Sequence, residues 1–177
     1  MKTQKQRELV DLFLSELEEG DKSVYRDIAV YLSELGYNPK KEKSRISFKH
    51  DLHNKQIAKM SIDTHKTKGP SPCFSLRFSA CRGYSGRFSD IVGAFIAKYP
   101  TRTARCVSDG CDYCKGGALS HVYTHAFPGG DAKYHCGAYA LEIPGVTAED
   151  IPELKKLIKE EHGYLLKHEA GIENILP

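Results

Sequence analysis

"SVYRDIAVYLSELGYNPKKEKSRISF", residues 23–48, contains the change of period on which the fold turns. Up to Leu35 the apolar residues recur at helical spacing, with Val24, Ile28, Tyr31, Leu32 and Leu35 on one face, the pattern of an amphipathic helix. Ser23 stands where an N-cap is expected, Gly36 where the helix should stop, and Pro39 just beyond it. After Pro39 the period becomes two, because Ile46 and Phe48 alternate with polar residues. That alternation marks a strand with one buried face. Helix and sheet must therefore share one core.

Working outward, "QRELVDLFLSELEE" (6–19) places Leu9, Leu12, Phe13 and Leu17 on one helical face. Downstream, two more strands are expected from Ala58, Met60 and Ile62 and from Phe74, Leu76 and Phe78. "SGRFSDIVGAFIAKY" (85–99) returns to helical spacing through Phe88, Ile91, Val92, Phe95, Ile96 and Tyr99, behind a Ser85 cap. "SHVYTHAF" (120–127) and "AKYHCGAYALEI" (132–143) read as a hairpin turning at "PGGD", whose glycines permit positive φ. The last helix, "TAEDIPELKKLIKEEHGYLLKH" (147–168), opens on Thr147 with Asp150 three residues later. It carries Ile151, Leu154, Ile158 and Leu165 on one side, and Pro152 is tolerated in its first turn. The order predicts an α+β fold, a mainly antiparallel sheet covered by helices with a zinc-binding loop and hairpin. A single domain over 1–177 is expected: a helical pair (1–37), a basic sheet and core helix (38–105), a cysteine-rich loop and hairpin (106–145), and a C-terminal helix (146–177).

With 177 residues, 40% of them hydrophobic, the chain can bury about two thirds of its unfolded surface without relying on cross-links. Its N-terminus has no apolar h-region, and no window approaches eighteen apolar residues. A soluble, cytoplasmic protein without a membrane partner is expected. Charge is uneven: residues 38–105 carry fifteen Lys and Arg against four Asp and Glu, whereas both ends of the chain are acidic. That basic middle could hold nucleic acid or another polyanion, with Lys40, Lys41 and Lys43 as candidate phosphate contacts. The alternative is a solvated sheet face neutralised by the acidic helices.

Four of the six cysteines fall in "CVSDGCDYCKGGALSHVYTHAFPGGDAKYHCG" (106–137). In a reducing compartment, such closely spaced thiols are more often metal ligands than disulfides. Zinc takes four ligands at tetrahedral corners, and a C-x2-C pair supplies two from one turn. Cys111 and Cys114 make that pair, while Cys106 and Cys136 complete an all-thiolate set, C-x4-C-x2-C-x21-C. One structural Zn2+ per chain, held by Cys106, Cys111, Cys114 and Cys136, is the expectation; a loose group of buried thiols is the alternative. His121 and His125 lie too far apart along a strand to share an ion, about 13 Å at 3.3 Å per residue. His135 should face away from Cys136, its neighbour on the strand. A histidine in place of Cys106 stays open. Cys73 and Cys81 are expected as second-layer thiols on the side of Arg77, with a reactive cysteine as the lesser alternative.

The phrases "ELGYNPKK", "FSLRFSACRGYSGRF", "CDYCKGG" and "CGAYALEIPGVTAEDIPELKKLIKEEH" resemble a family of small bacterial proteins of the Firmicutes type, over most of the chain from residue 24 onward. The family has no known activity. The resemblance implies that Cys111, Cys114 and Cys136 belong to one shared feature.

Three functions follow in order. The first is a non-enzymatic binding or regulatory domain stabilised by zinc, since four thiolates leave no open coordination position. The second is nucleic-acid binding through 38–105, although "YRDIAVYLSELGYN" resembles only the first half of a helix-turn-helix and a strand pattern follows it. The third is an enzyme, with no catalytic residue assigned. No nucleophile elbow, P-loop or dinucleotide-binding glycine run is present. The carboxylates near the cluster, Asp109, Asp112 and Asp131, read as backbone caps.

Overall fold

A computed structural model describes residues 1–65, 69–102, 104–108, 122–126 and 129–169. The chain divides into two compact units, Met1–Leu76 with Glu142–Ile158, and Arg77–Leu141 with Lys159–Pro177.

The first unit opens with helix α1 (Gln4–Ser15), begun by a capping box in which Thr3 Oγ1 accepts from Gln6 N–H and Gln6 Oε1 accepts from Thr3 N–H. Helix α2 (Glu19–Glu34) starts four residues before the expected cap. Ser23 is therefore not an N-cap: it lies inside the helix, and its hydroxyl donates to the Gly20 carbonyl. The start is instead favoured by Glu19 and Asp21 in the first turn, where carboxylates complement the positive end of the helix dipole. The expected stop holds, because Gly36 follows the helix at φ +88°, a conformation that glycine adopts without a Cβ penalty.

Four strands follow: β1 (Tyr37–Glu42), β2 (Arg45–His50), β3 (Gln56–His65) and β4 (Gly69–Leu76). With β7 (Leu141–Pro144) they form a five-stranded sheet in the order β1-β2-β3-β4-β7. The pairs from β1 to β4 are antiparallel, and the register sets Ile46 opposite Met60 and Met60 opposite Phe74. Alternation thus puts one apolar row on the face that is buried: Phe48, Ala58, Met60, Phe74 and Leu76 are all 0% exposed. Each large side chain there contributes about 2–3 kcal/mol through removal of apolar surface from water. Helices α1 and α2 contact each other and β1. Helix α5 (Ile151–Tyr164), preceded by a 3-10 turn with Thr147 and Asp150 as a capping box, reaches α2 through Lys155 Nζ, 2.8 Å from Asp27 Oδ1. The expected α+β class is the observed one.

Strand β1 was absent from the periodicity, and the second arm of the expected hairpin is two strands, not one. Residues 132–143 split into β6 (Ala132–Cys136) and β7, because a turn in which Tyr139 N–H donates to the Cys136 carbonyl interrupts them. In the second unit β6 pairs antiparallel with β5 (Val122–Ala126) as a separate two-stranded sheet. Helix α3 (Gly86–Lys98) packs against β5, its start capped by Ser85 Oγ accepting from Phe88 N–H. A short helix α4 (Arg105–Ser108) contacts β6. The α5 helix continues as a π-helical stretch, Leu165–Glu169. Among the described residues no helix is long and apolar enough to cross a membrane.

Candidate metal centre

Of the four expected ligands, Cys111, Cys114 and the Cys106 side chain lie outside the described residues, as do Asp109, Asp112 and His121. Cys136 is described: it ends β6, is half-buried and forms no disulfide. The backbone of Cys106 is described too, as the second residue of α4. The α4–β6 contact is anchored where Ala104 N–H donates to the Tyr134 carbonyl at 2.8 Å. Each partner in that bond lies two residues before a cysteine, Cys106 on one side and Cys136 on the other. The first and last cysteines of the spacing are thus carried by elements in contact. Among the described residues no group of three or more His, Cys, Asp or Glu could hold a metal ion.

The hairpin register separates the histidines from Cys136. Tyr123 pairs with His135, His125 with Lys133, and Val122 with Cys136, so alternation puts Tyr123, His125, Lys133 and His135 on one face and Cys136 on the other. His135 is 0% exposed, with ring centroids of Tyr123 at 5.6 Å and Phe95 at 6.2 Å, and neither ring nitrogen has a hydrogen-bond partner among the described residues. Burial, reinforced by Arg102 and Lys133, lowers its pKa. It is held as a neutral imidazole. His125 is half-buried and presses on α3: its Nε2 lies 2.8 Å from where a Cβ on Gly93 would stand, so only glycine fits there without displacing the ring. Asp131 is exposed, next to the turn glycines.

The chain just beyond β4 is held by a carboxylate. Glu161 on α5 is 0% exposed; its Oε2 accepts from Ser79 N–H at 2.7 Å and Ala80 N–H at 2.8 Å, and its Oε1 lies 3.2 Å from Arg77 Nε. The adjacent Glu160 accepts from Arg82 N–H at 3.1 Å. Burial pushes the Glu161 carboxyl above its ordinary value, while the Ala80 N–H, Arg77 and Ser79 pull it back. Three backbone N–H groups are thus satisfied by two consecutive side chains, and the Arg77 guanidinium, whose Nε donates to Ser79 Oγ, is ion-paired with Glu161. This arrangement fixes a loop. It also accounts for Arg77, which lies past the end of β4 and is paired with Glu161 instead of standing beside a reactive thiol. Burial raises the thiol of Cys73 to about 11 and that of Cys81 well above the ordinary 9. Neither has the lowered pKa of a nucleophile.

Two features escaped the pattern reading. Glu161 sits where the apolar stripe Leu154, Ile158, Leu165 should continue, and a charge on a buried stripe was its visible signal. The other is in the first unit, where the rings of His50 and His53 stack with centroids 4.0 Å apart and planes 5° from parallel. Their Nδ1 atoms accept from Leu52 N–H and Lys55 N–H, so each ring presents Nδ1 as an acceptor to the chain that follows it. Burial lowers the His50 pKa, opposed by Asp51 and the Leu35 backbone and assisted by Lys2.

Comparison of the chain with family models, with curated proteins and with solved structures found no match.

Proposed function

We propose that the chain is a non-enzymatic binding or regulatory domain whose second unit is closed by one structural zinc ion on Cys106, Cys111, Cys114 and Cys136. The observation that carries the reading is the contact of α4 with β6, tied by the bond from Ala104 to Tyr134. It supports the spacing argument independently, since cysteines thirty residues apart in sequence sit on neighbouring elements. The donor chemistry fits as well: Cys136 is half-buried and free of disulfide, and the histidine beside it faces the other way. Bound zinc would supply a cross-link between the chain after α3 and the end of the hairpin, and four thiolates would leave it no position for water.

Binding of nucleic acid through residues 38–105 draws less support. Strand β1, not a recognition helix, follows Gly36. Within that segment Lys49 and Lys59 share Glu42, and Arg77 is taken by Glu161.

The test is metal content per chain on untagged protein, with cysteine variants. About one zinc is expected. Cys111→Ser and Cys136→Ser should abolish it and lower the melting temperature, with hydrogen-exchange protection lost in β5 and β6 before α3. Cys73→Ser and Cys81→Ser should leave it unchanged. Folded, metal-free wild-type protein, or a Cys136→Ser variant that keeps its zinc, would overturn the proposal.

A further inference from the structure

Helix α1 is amphipathic, yet its apolar face is only partly covered. Val10, Phe13 and Leu14 are buried, whereas Leu12 is 58% exposed. Beside Leu12 runs a trough between α1 and the β1–β2 hairpin, formed by two adjoining hollows of about 410 and 560 Å3 that share Leu9, Leu12 and Lys41. Its apolar lining also includes Phe13, Ile46 and Pro39, with Ile62 and Pro70 of β3 and β4 at one end. At about 1.5 Å per residue, the twelve residues of α1 give it a length of roughly 18 Å.

The rim is charged, and mostly of one sign. Lys5, Lys40, Lys41, Lys43 and Arg45 line it, against the carboxylates of Glu8 and Glu16. Lys40 donates to Asn54. Lys5, Lys41, Lys43 and Arg45 make no ion pair among the described residues, unlike Lys2, Lys49, Lys59 and Lys155, each of which has a carboxylate. Four unneutralised cations beside an exposed leucine are a surface with two demands, an anion and an apolar anchor.

We infer that this trough docks an acidic amphipathic helix of a partner protein. The geometry favours that occupant over the other claimants. A single anionic headgroup would use cations gathered at one point and leave Leu9 and Leu12 unserved, whereas here the cations stand on two walls, Lys5 on α1 and Lys41, Lys43 and Arg45 at the end of the β1–β2 hairpin, where Glu42 pairs with Arg45. Carboxylates on both flanks of an apolar helical stripe, three or four residues apart along each flank, can meet both walls while the stripe covers Leu9 and Leu12. A nucleic-acid strand would use the cations but has no use for Leu12, and the lining offers no exposed aromatic face for base stacking. An added β-strand is disfavoured because β1, though an edge strand, carries Pro39 in its middle. Proline interrupts the row of edge N–H donors. A helix laid along α1 instead inserts leucines spaced by three and four beside Leu9 and Leu12. None of the four proposed zinc ligands belongs to this unit, so the trough stands or falls apart from the metal.

The test uses the full chain and a synthetic helix of about four turns with leucines on one stripe and glutamates on both flanks. Controls are the same leucines with lysine flanks, and the same composition with the stripe scrambled. Amide shifts in 15N-labelled protein should fall on α1 and the β1–β2 hairpin, and anisotropy should show saturable binding by the glutamate-flanked helix only. Leu12→Ser should weaken it about tenfold, as should Lys41→Glu with Lys43→Glu. All three positions are solvent-exposed, so these variants stay folded, and thermal melts verify this. No shift at about 1 mM peptide, or equal binding of the lysine-flanked control, overturns the inference. So does tighter binding of an oligothymidine or of anionic vesicles that is insensitive to Leu12→Ser, which would make the rim a phosphate surface.

Discussion

Replacing Glu161 by alanine should be among the most damaging single changes in the second unit. It removes the acceptor of two backbone N–H groups, from Ser79 and Ala80, and the carboxylate beside Arg77, at a site that is 0% exposed. A buried donor left unsatisfied costs about 1–3 kcal/mol, and breaking a buried ion pair from one side costs about 3–5 kcal/mol. Because water can enter the space left behind, the losses will not sum in full, and about 4 kcal/mol is expected. For a chain of this size that corresponds to a fall in melting temperature of roughly 10 °C. Glu161→Gln keeps an acceptor oxygen and should lose less, about 2 kcal/mol. Arg77→Met leaves the carboxylate with both N–H partners, so it too should be milder than Glu161→Ala. Urea unfolding, followed by circular dichroism, gives the three values. A loss below about 1 kcal/mol for Glu161→Ala, or a Gln variant as unstable as the Ala variant, would refute the claim that this carboxylate holds the loop.

Two further outcomes test the first unit. Gly36→Ala should lose about 2–3 kcal/mol in thermal unfolding, because a Cβ at φ +88° is strained and would stand 2.8 Å from His50 Nε2. For His50, a lowered folded pKa means that the unfolded chain binds more protons below its ordinary value of 6.5. The stability from His50 is therefore full above that value and falls as pH drops through and below it. The melting temperature of wild type should fall more steeply from pH 7 to 5 than that of His50→Phe, which keeps a ring over Gly36 and does not titrate; parallel slopes would refute it.

What could be read in advance followed physical periodicity. The apolar rows of β2, β3 and β4, the α3 stripe with its Ser85 cap, and the Thr147 capping box stand where the residues put them. Strand β1 was illegible because "YNPKKE" has neither alternation nor β-formers beyond Tyr37, and it forms a strand only as the edge partner of β2. The start of α2 was misplaced because Ser23 resembles a cap, whereas the first turn at Glu19 is selected by charge without a side-chain cap bond. For the candidate centre, the cysteine spacing was visible, but the α4–β6 contact that brings its ends together depends on a tertiary bond from Ala104 to Tyr134. Glu161 was hidden for a related reason. Its partners are backbone N–H groups some eighty residues earlier, and no side-chain pattern advertises a backbone donor.

The hairpin explains why a cross-link at its end would matter. A two-stranded sheet is marginal in water unless its faces are packed. One face of β5–β6 is served: Tyr123 and His135 are buried among rings, with Phe95 of α3 at 6.4 and 6.2 Å. That packing encloses an imidazole whose two nitrogens have no partner among the described residues, and a buried polar group left unpaired costs about 1–3 kcal/mol. The opposite face has Val122 buried at one end, while Thr124 and Ala126 are exposed and Cys136 only half-covered. Among the described residues α4, a single turn of helix, also contacts β6. Apolar burial thus secures the α3 side, and the bond from Ala104 N–H to the Tyr134 carbonyl ties β6 to the chain just before α4. A metal joining Cys136 to the chain around α4 would act on the face opposite Tyr123 and His135, and its removal should expose β6 while Phe95 still holds Tyr123.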